Sequence, residues 1–157
     1  MPWTNRRVVE WSLMVLVLLA VVGVFGRQFN VVQGQGELAA IKTTLGALRT
    51  ALVIDHLKTT AIDGTPAANA QRNPFLLLDH IPANYAGPLA SLKGQPLPQG
   101  SWVFDVYCNC IGYEPMRPQA LDNPGESPTV WFRISPPPGP LQISPVQNYV
   151  WLGEVIN

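Results

Sequence analysis

The chain has 157 residues with ten basic and ten acidic side chains, and charged residues make up only 13% of it. A soluble domain carries about 25%, so the sequence is charge-poor, and with no basic patch or acidic tail nucleic acid is not an expected partner. Of the sixteen prolines only Pro2 precedes Pro66, which predicts a helical N-terminal third followed by strands and loops.

The first element is an apolar helix. From Val8 to Phe25 the only clearly polar residues are Glu10 and Ser12. About 18 residues at ~1.5 Å each give roughly 27 Å, near the lower limit for crossing a ~30 Å hydrocarbon core. The leucines, valines and phenylalanines of this run favour insertion by roughly 4 to 7 kcal/mol, against about 3 for a central acidic charge. Glu10, close to one end, is therefore tolerated. Trp11, Leu13, Leu16, Leu19, Val22 and Phe25 are the expected anchor residues. Trp3 and Trp11 suit the interfacial zone.

Arg6 and Arg7 precede the run and only Arg27 follows closely. The positive-inside tendency then puts the N-terminus in the cytoplasm and the remainder across the membrane. A cleaved secretory signal ending at Val24-Phe25-Gly26 is the rival reading, and a poor match to a small-residue cleavage site. Glu10 has local partners in reach, because Arg6 at i−4 and Arg7 at i−3 share its helix face.

The helical pattern continues. Leu38, Ile41, Leu45, Leu48 and Leu52 follow at +3, +4, +3, +4 and form one apolar stripe, with Lys42, Thr43, Thr44, Arg49 and Thr50 between them and Glu37 just before. The C-terminal half of the stripe is expected to pack on the chain's own head. The stripe is short for a coiled-coil dimer. QGQGE (33–37) is the expected place for a bend or local melting. Asp63-Gly64 and Pro66 are the expected stop.

NPFLLLDH (73–80) reads as a short helix capped by Asn73, with Pro74 in its first turn. PANYAGPLASLKGQPLPQG reads as loop. SWVFDVY (101–107) reads as a strand with Trp102, Phe104 and Val106 on one face and Val103, Asp105 and Tyr107 on the other. Further strands are expected at Cys110–Tyr113, after a turn at Asn109, at 129–134 and at 148–155. Pro136, Pro137 and Pro138 exclude a ladder. Trp102, Trp131 and Trp151 are expected on the core face. These pieces predict an α+β fold, a long N-terminal membrane-anchoring helix packed on a small antiparallel sheet. The divisions are 1–27 for the cytoplasmic flank and membrane segment, 28–63 for a helical stem, and 64–157 for an extracytoplasmic head.

Cys108-Asn109-Cys110 is the only cysteine pair. Extended geometry holds such Cα atoms near the ~7 Å upper limit for a disulfide, and a tight turn at Asn109 would bring them into range. A local disulfide, two reduced thiols and intermolecular bridges are all open. Metal binding is not expected, since the thiols and the distant His56 and His80 lack zinc spacing. No cofactor is expected either. Asp55 and His56 are adjacent, so on a helix they point about 100° apart. Asp105, Glu114 and Asp122 are scattered without an acid/base partner, and no serine elbow, phosphate loop or HExxH helix is present. The chain does not read as an enzyme.

Glu10 within Val8-Val9-Glu10-Trp11-Ser12-Leu13-Met14-Val15 resembles the apolar start of type IV pilins and type II secretion pseudopilins, which carry a glutamate at the fifth mature position. GELAAIKTTLGALRTAL (36–52) resembles the pseudopilin stem, and NPFLLLDHIPANYAG with GSWVFDVY resembles the head of a pseudopilin-like subgroup. The resemblance runs to about Tyr113 and is weak beyond it. It implies a pilin-like fold and a structural subunit, pseudopilin or minor pilin-like, that assembles a filament through its apolar helix. Its implied partners are other pilin or pseudopilin subunits, the inner-membrane assembly platform and membrane lipid. Its implied place is the bacterial inner membrane, single-pass, with a periplasmic head. In the family the glutamate pairs with the N-terminal amine of a neighbouring subunit. Asn5 stands where the family has glycine, and Arg6 where it has phenylalanine or methionine, which speaks against prepilin peptidase as a partner. The alternative is an uncleaved bitopic accessory protein of the same machinery that binds through its head without polymerising. A soluble domain released by signal cleavage is the third reading.

Overall fold

The computed structural model describes residues 3–63, 73–92, 96–123, 127–135 and 142–156. Among the described residues the chain has an α+β architecture, with one long N-terminal helix, α1 (Trp3–Asp63), and seven short strands. It divides into two compact units, Met1–Gly36 and Glu37–Asn157. All the described residues of the first unit are helical. QGQGE, expected to bend or melt, is helical throughout, so two glycines at ~1 kcal/mol each do not melt it. α1 ends at Asp63, and Gly64 and Pro66 lie outside the described residues, as do Pro136 to Pro138.

The second unit is built around a five-stranded sheet. Its strands are β1 (Tyr85–Pro88), β2 (Trp102–Asp105), β3 (Cys110–Tyr113), β4 (Val130–Ile134) and β5 (Ile143–Pro145), hydrogen-bonded in that order. A small hairpin of β6 (Val150–Trp151) and β7 (Glu154–Val155) completes the set.

Period-two alternation sorts the sheet. Trp102 and Phe104, Ile111 and Tyr113, then Val130, Phe132 and Ile134 turn inward and are buried. They meet Leu38, Ile41, Leu45, Leu48 and Leu52 of α1 in one core that also holds Phe75, Tyr149, Trp151 and Ile156. The whole apolar stripe of the stem is therefore spent inside this unit. Full burial of such side chains contributes about 1.5 to 3 kcal/mol each. Polar ties flank the stripe. Arg49 Nη2 donates to the Ile143 carbonyl at 3.0 Å, and Lys42 pairs with Glu154.

Several expectations are corrected. The sheet is mixed, because β1 runs parallel to β2. The segment that reads as pure loop supplies both this edge strand and its connection. A parallel partner needs a crossover of about a dozen residues or more, and residues 89–101 provide it. Asn84 supports this edge, its carbonyl accepting the Trp102 amide at 2.9 Å and its Nδ2 donating to the Gly100 carbonyl at 2.7 Å.

β2 stops at Asp105 rather than at 107. The Asp105 carboxylate accepts the Tyr107 amide at 2.9 Å, an Asx-type turn that competes with the ladder. Val106, expected inward with Trp102 and Phe104, is consequently exposed. The run 148–155 folds into a hairpin because Leu152 and Gly153 take φ of +48° and +80°. Trp131 lies on the face opposite the core, since its neighbours Val130 and Phe132 take the inward positions. The expected helix at 73–80 is one 3₁₀ turn, Pro74–Leu77. Asn73 caps it by accepting the Phe75 amide at 3.1 Å.

Candidate functional site

From Val8 to Phe25 the first unit presents an apolar surface broken only by Glu10 and Ser12. Val8, Trp11, Leu13, Leu16, Leu19, Val22 and Phe25 are all more than half exposed. The helix is long and apolar enough to cross a membrane, with a mean hydropathy of 2.5 over its most apolar window. Length and composition suit a membrane span or a signal sequence alike. The expected anchor closes at Phe25, yet Phe29, Val31 and Val32 are also exposed. The signal for this extension is a Phe-Asn-Val-Val run just past Arg27. From Val8 to Val32 the helix covers about 37 Å at ~1.5 Å per residue, somewhat more than a ~30 Å hydrocarbon core.

Two of its polar groups near the N-terminal end find local partners. Ser12 Oγ donates to the Val9 carbonyl at 2.9 Å. Arg6 Nε lies 3.3 Å from Glu10 Oε1, an i,i+4 ion pair. Of the two arginines expected within reach of Glu10, Arg6 is the one that pairs with it.

The remaining singled-out residues lie in the second unit. Cys108 and Cys110 are joined in a disulfide, with Cα atoms 5.2 Å apart. Asn109 makes that approach by adopting φ +55°, a left-handed conformation that asparagine tolerates better than most residues. Cys110 is buried and Cys108 exposed. The three scattered acidic residues each hold backbone or a hydroxyl. Asp105 accepts from Tyr107, Glu114 Oε2 accepts the Thr129 hydroxyl at 2.6 Å, and Asp122 Oδ2 accepts the Gly153 amide at 2.8 Å. His56 is half-buried on α1 and His80 is exposed. Among the described residues no three His, Cys, Asp or Glu side chains converge as a metal site. The structure thus brings together Arg6 with Glu10, and Cys108 with Cys110.

Three phenols are perturbed. Burial pushes Tyr113 well up, helped by the Glu37 charge and by its hydrogen bond to Glu37. Burial also raises Tyr85, against an opposing hydrogen bond from Asn73. Tyr149 is raised by burial while the Trp131 amide donates to its oxygen. Tyr113 rests on the Glu37 carboxylate at 2.9 Å, and all three phenols lie in the core of the second unit or against it.

Comparison with family models, with curated proteins and with solved structures returns no match. What the protein does is therefore read from the chain's own residues.

Proposed function

We propose that this protein is a membrane-anchored structural subunit, pseudopilin or minor pilin-like, of a type II secretion or type IV pilus-type filament. It assembles through its apolar N-terminal helix. The observation that carries the reading is the contrast within α1. The stripe from Leu38 to Leu52 is buried in the core of the second unit, whereas the large apolar side chains from Val8 to Val32 are exposed. That exposed surface is somewhat longer than one bilayer crossing, and a bundle of like helices would cover all of it. In this reading the N-terminus is cytoplasmic, the head periplasmic and the anchor in the inner membrane. Glu10 is the polar contact between neighbouring copies.

A second reading is favoured by the Arg6–Glu10 pair. A carboxylate already neutralised within its own helix has less to gain from a neighbouring amine. An uncleaved bitopic protein, docking by its head on other components of the machine, would need no intersubunit role for Glu10.

One experiment separates them. A photo-crosslinking amino acid is placed at Leu16 in the full chain, expressed in a bacterium that carries the machinery, and membranes are fractionated. A filament subunit is recovered with membranes and crosslinks to the helix of a second subunit, and Glu10→Gln lowers that yield several-fold. Crosslinks to lipid alone favour the bitopic protein. Recovery of the full-length chain as a detergent-free soluble monomer overturns both.

A further inference from the structure

The strand register sets Asp105, Cys110, Arg133 and Ser144 in one row across β2 to β5, and Val103, Gly112 and Trp131 in the next. Both rows lie on the sheet face opposite the core. There a concavity of about 430 Å³ opens, bordered by Asp105, the Cys108–Cys110 disulfide, Thr129, Trp131, Arg133 and Gln147. Its size falls within the ~300 to 1,000 Å³ of small-molecule sites.

The Trp131 ring is held in place. It lies over Gly112, where a Cβ would meet ring carbons at 2.8 and 2.9 Å and Val103 Cγ1 at 2.8 Å. The Trp131 amide donates to the Tyr149 hydroxyl at 3.0 Å. One part of the indole is thus seated on backbone, and the half-exposed remainder borders the cavity. Around it are groups with bonding capacity to spare. Arg133 is exposed, and among the described residues its guanidinium has no hydrogen-bond or ion-pair partner. Asp105 commits one carboxylate oxygen to the Tyr107 amide, and its other oxygen receives no N–H or O–H donor among the described residues. Gln147 is exposed and offers both an amide donor and an acceptor.

We propose that this concavity is a saccharide-binding site, with Trp131 as the platform and Asp105, Arg133 and Gln147 as the hydroxyl-reading groups. A pyranose has an apolar C–H face that packs on an indole, and a rim of hydroxyls that donate and accept together. A ring packed over Gly112 and bordered by one carboxylate, one guanidinium and one amide matches that pattern. A purely apolar ligand would cover Arg133 and Asp105 without supplying partners, and would forfeit the hydration of both charges. A nucleic-acid strand would need a basic track for its phosphates, and here a single cation faces a single anion. The site is independent of the anchoring proposal, because all its residues lie in the second unit.

The test is a glycan array of neutral and uronic mono- to tetrasaccharides. The full chain is presented in lauryldimethylamine oxide micelles, which carry no sugar headgroup. A related set of saccharides should be retained. Trp131→Ala should weaken retention by about tenfold or more, equivalent to ~1.4 kcal/mol, and Arg133→Ala and Gln147→Ala should each weaken it several-fold. Should Trp131→Ala fail to fold, the Arg133 and Gln147 variants decide alone, since both side chains are exposed and removable without opening the core. No retained saccharide, or retention indifferent to Arg133→Ala and Gln147→Ala, overturns the proposal.

Discussion

The Tyr113 hydroxyl donates to Glu37 Oε1 at 2.9 Å, and the same oxygen accepts the Met116 amide at 2.6 Å. Glu37 lies one residue before Leu38, the first member of the buried stripe, so the bond fastens the start of that stripe to the central strand β3. The phenol is held in its neutral form, chiefly by burial and then by the Glu37 charge and hydrogen bond. A phenol raised in the folded state contributes stability that is fully present below its unfolded pKa, near 10.0. That stability is lost as pH rises from there towards the folded value. The head should therefore melt at a constant temperature from about pH 7 to 9 and lose stability above about pH 10. Tyr113→Phe should cost about 1.5 to 3 kcal/mol at neutral pH, as a hydrogen bond to a charged group is worth, and should flatten the alkaline decline. Part of the decline should survive in that variant, because Tyr85 and Tyr149 are raised as well. Circular dichroism melts of both proteins across this range check it.

The stripe itself makes a second prediction. Leu45 and Leu48 are fully buried, whereas Leu57, five residues past the end of the stripe, is 61% exposed. Leu45→Ala and Leu48→Ala should each destabilise the head by about 2 to 5 kcal/mol through lost burial and a residual cavity. Leu57→Ala should change it by less than about 0.5 kcal/mol. Denaturant unfolding monitored on the head measures all three. An equal effect at Leu57 would mean that the apolar face of α1 is covered further along than the core indicates.

Much of this is legible in the residues. Helical spacing marks the stripe from Leu38 to Leu52, and alternation puts Trp102 and Phe104 on the core side. The cap at Asn73 follows from its place before Pro74. What fails has definite causes. Val106 is misplaced when the alternation is extended past Asp105, whose carboxylate captures a backbone amide and ends the strand. Trp131 looks like core by hydrophobicity alone, although Val130 and Phe132 beside it leave the odd position facing outward. β1 is hidden because a parallel edge strand in a Gly- and Pro-rich stretch carries no hairpin signal. The groove by Trp131 is invisible to any local reading, since register brings its residues together from three strands and two turns.

That same register makes Gly112 sensitive. Gly112→Ala places a methyl group 2.8 Å from both the Trp131 ring and Val103. Overpacking of this kind costs about 1 to 3 kcal/mol, and the indole must shift to relieve it. The expected result is a lower melting temperature with a changed near-ultraviolet signal. Gly153 is the contrast, since a methyl group there would meet nothing within 4 Å, but its φ is +80°. Gly153→Ala should cost about 1 to 2 kcal/mol of left-handed strain and leave the near-ultraviolet signal of Trp131 unaltered.

The Arg6–Glu10 pair gives the prediction closest to the proposed anchor. Both side chains are largely exposed, and an exposed pair of this kind adds little to stability in water. Neither Arg6→Gln nor Glu10→Gln should move the unfolding of the head by more than about 0.5 kcal/mol. In a bilayer the two changes differ. Removing Glu10 leaves an arginine whose long stem carries its charge towards the interface, and the apolar run becomes more insertable. Removing Arg6 leaves a short carboxylate between Val9 and Trp11, unpaired by that guanidinium and less able to reach water. A protease-protection assay of membrane insertion should therefore show Glu10→Gln at or above the wild-type fraction and Arg6→Gln below it. Exchanging the two charges should recover most of the loss. A decrease of the same size in both single variants would show that the pair does not neutralise the carboxylate in the membrane.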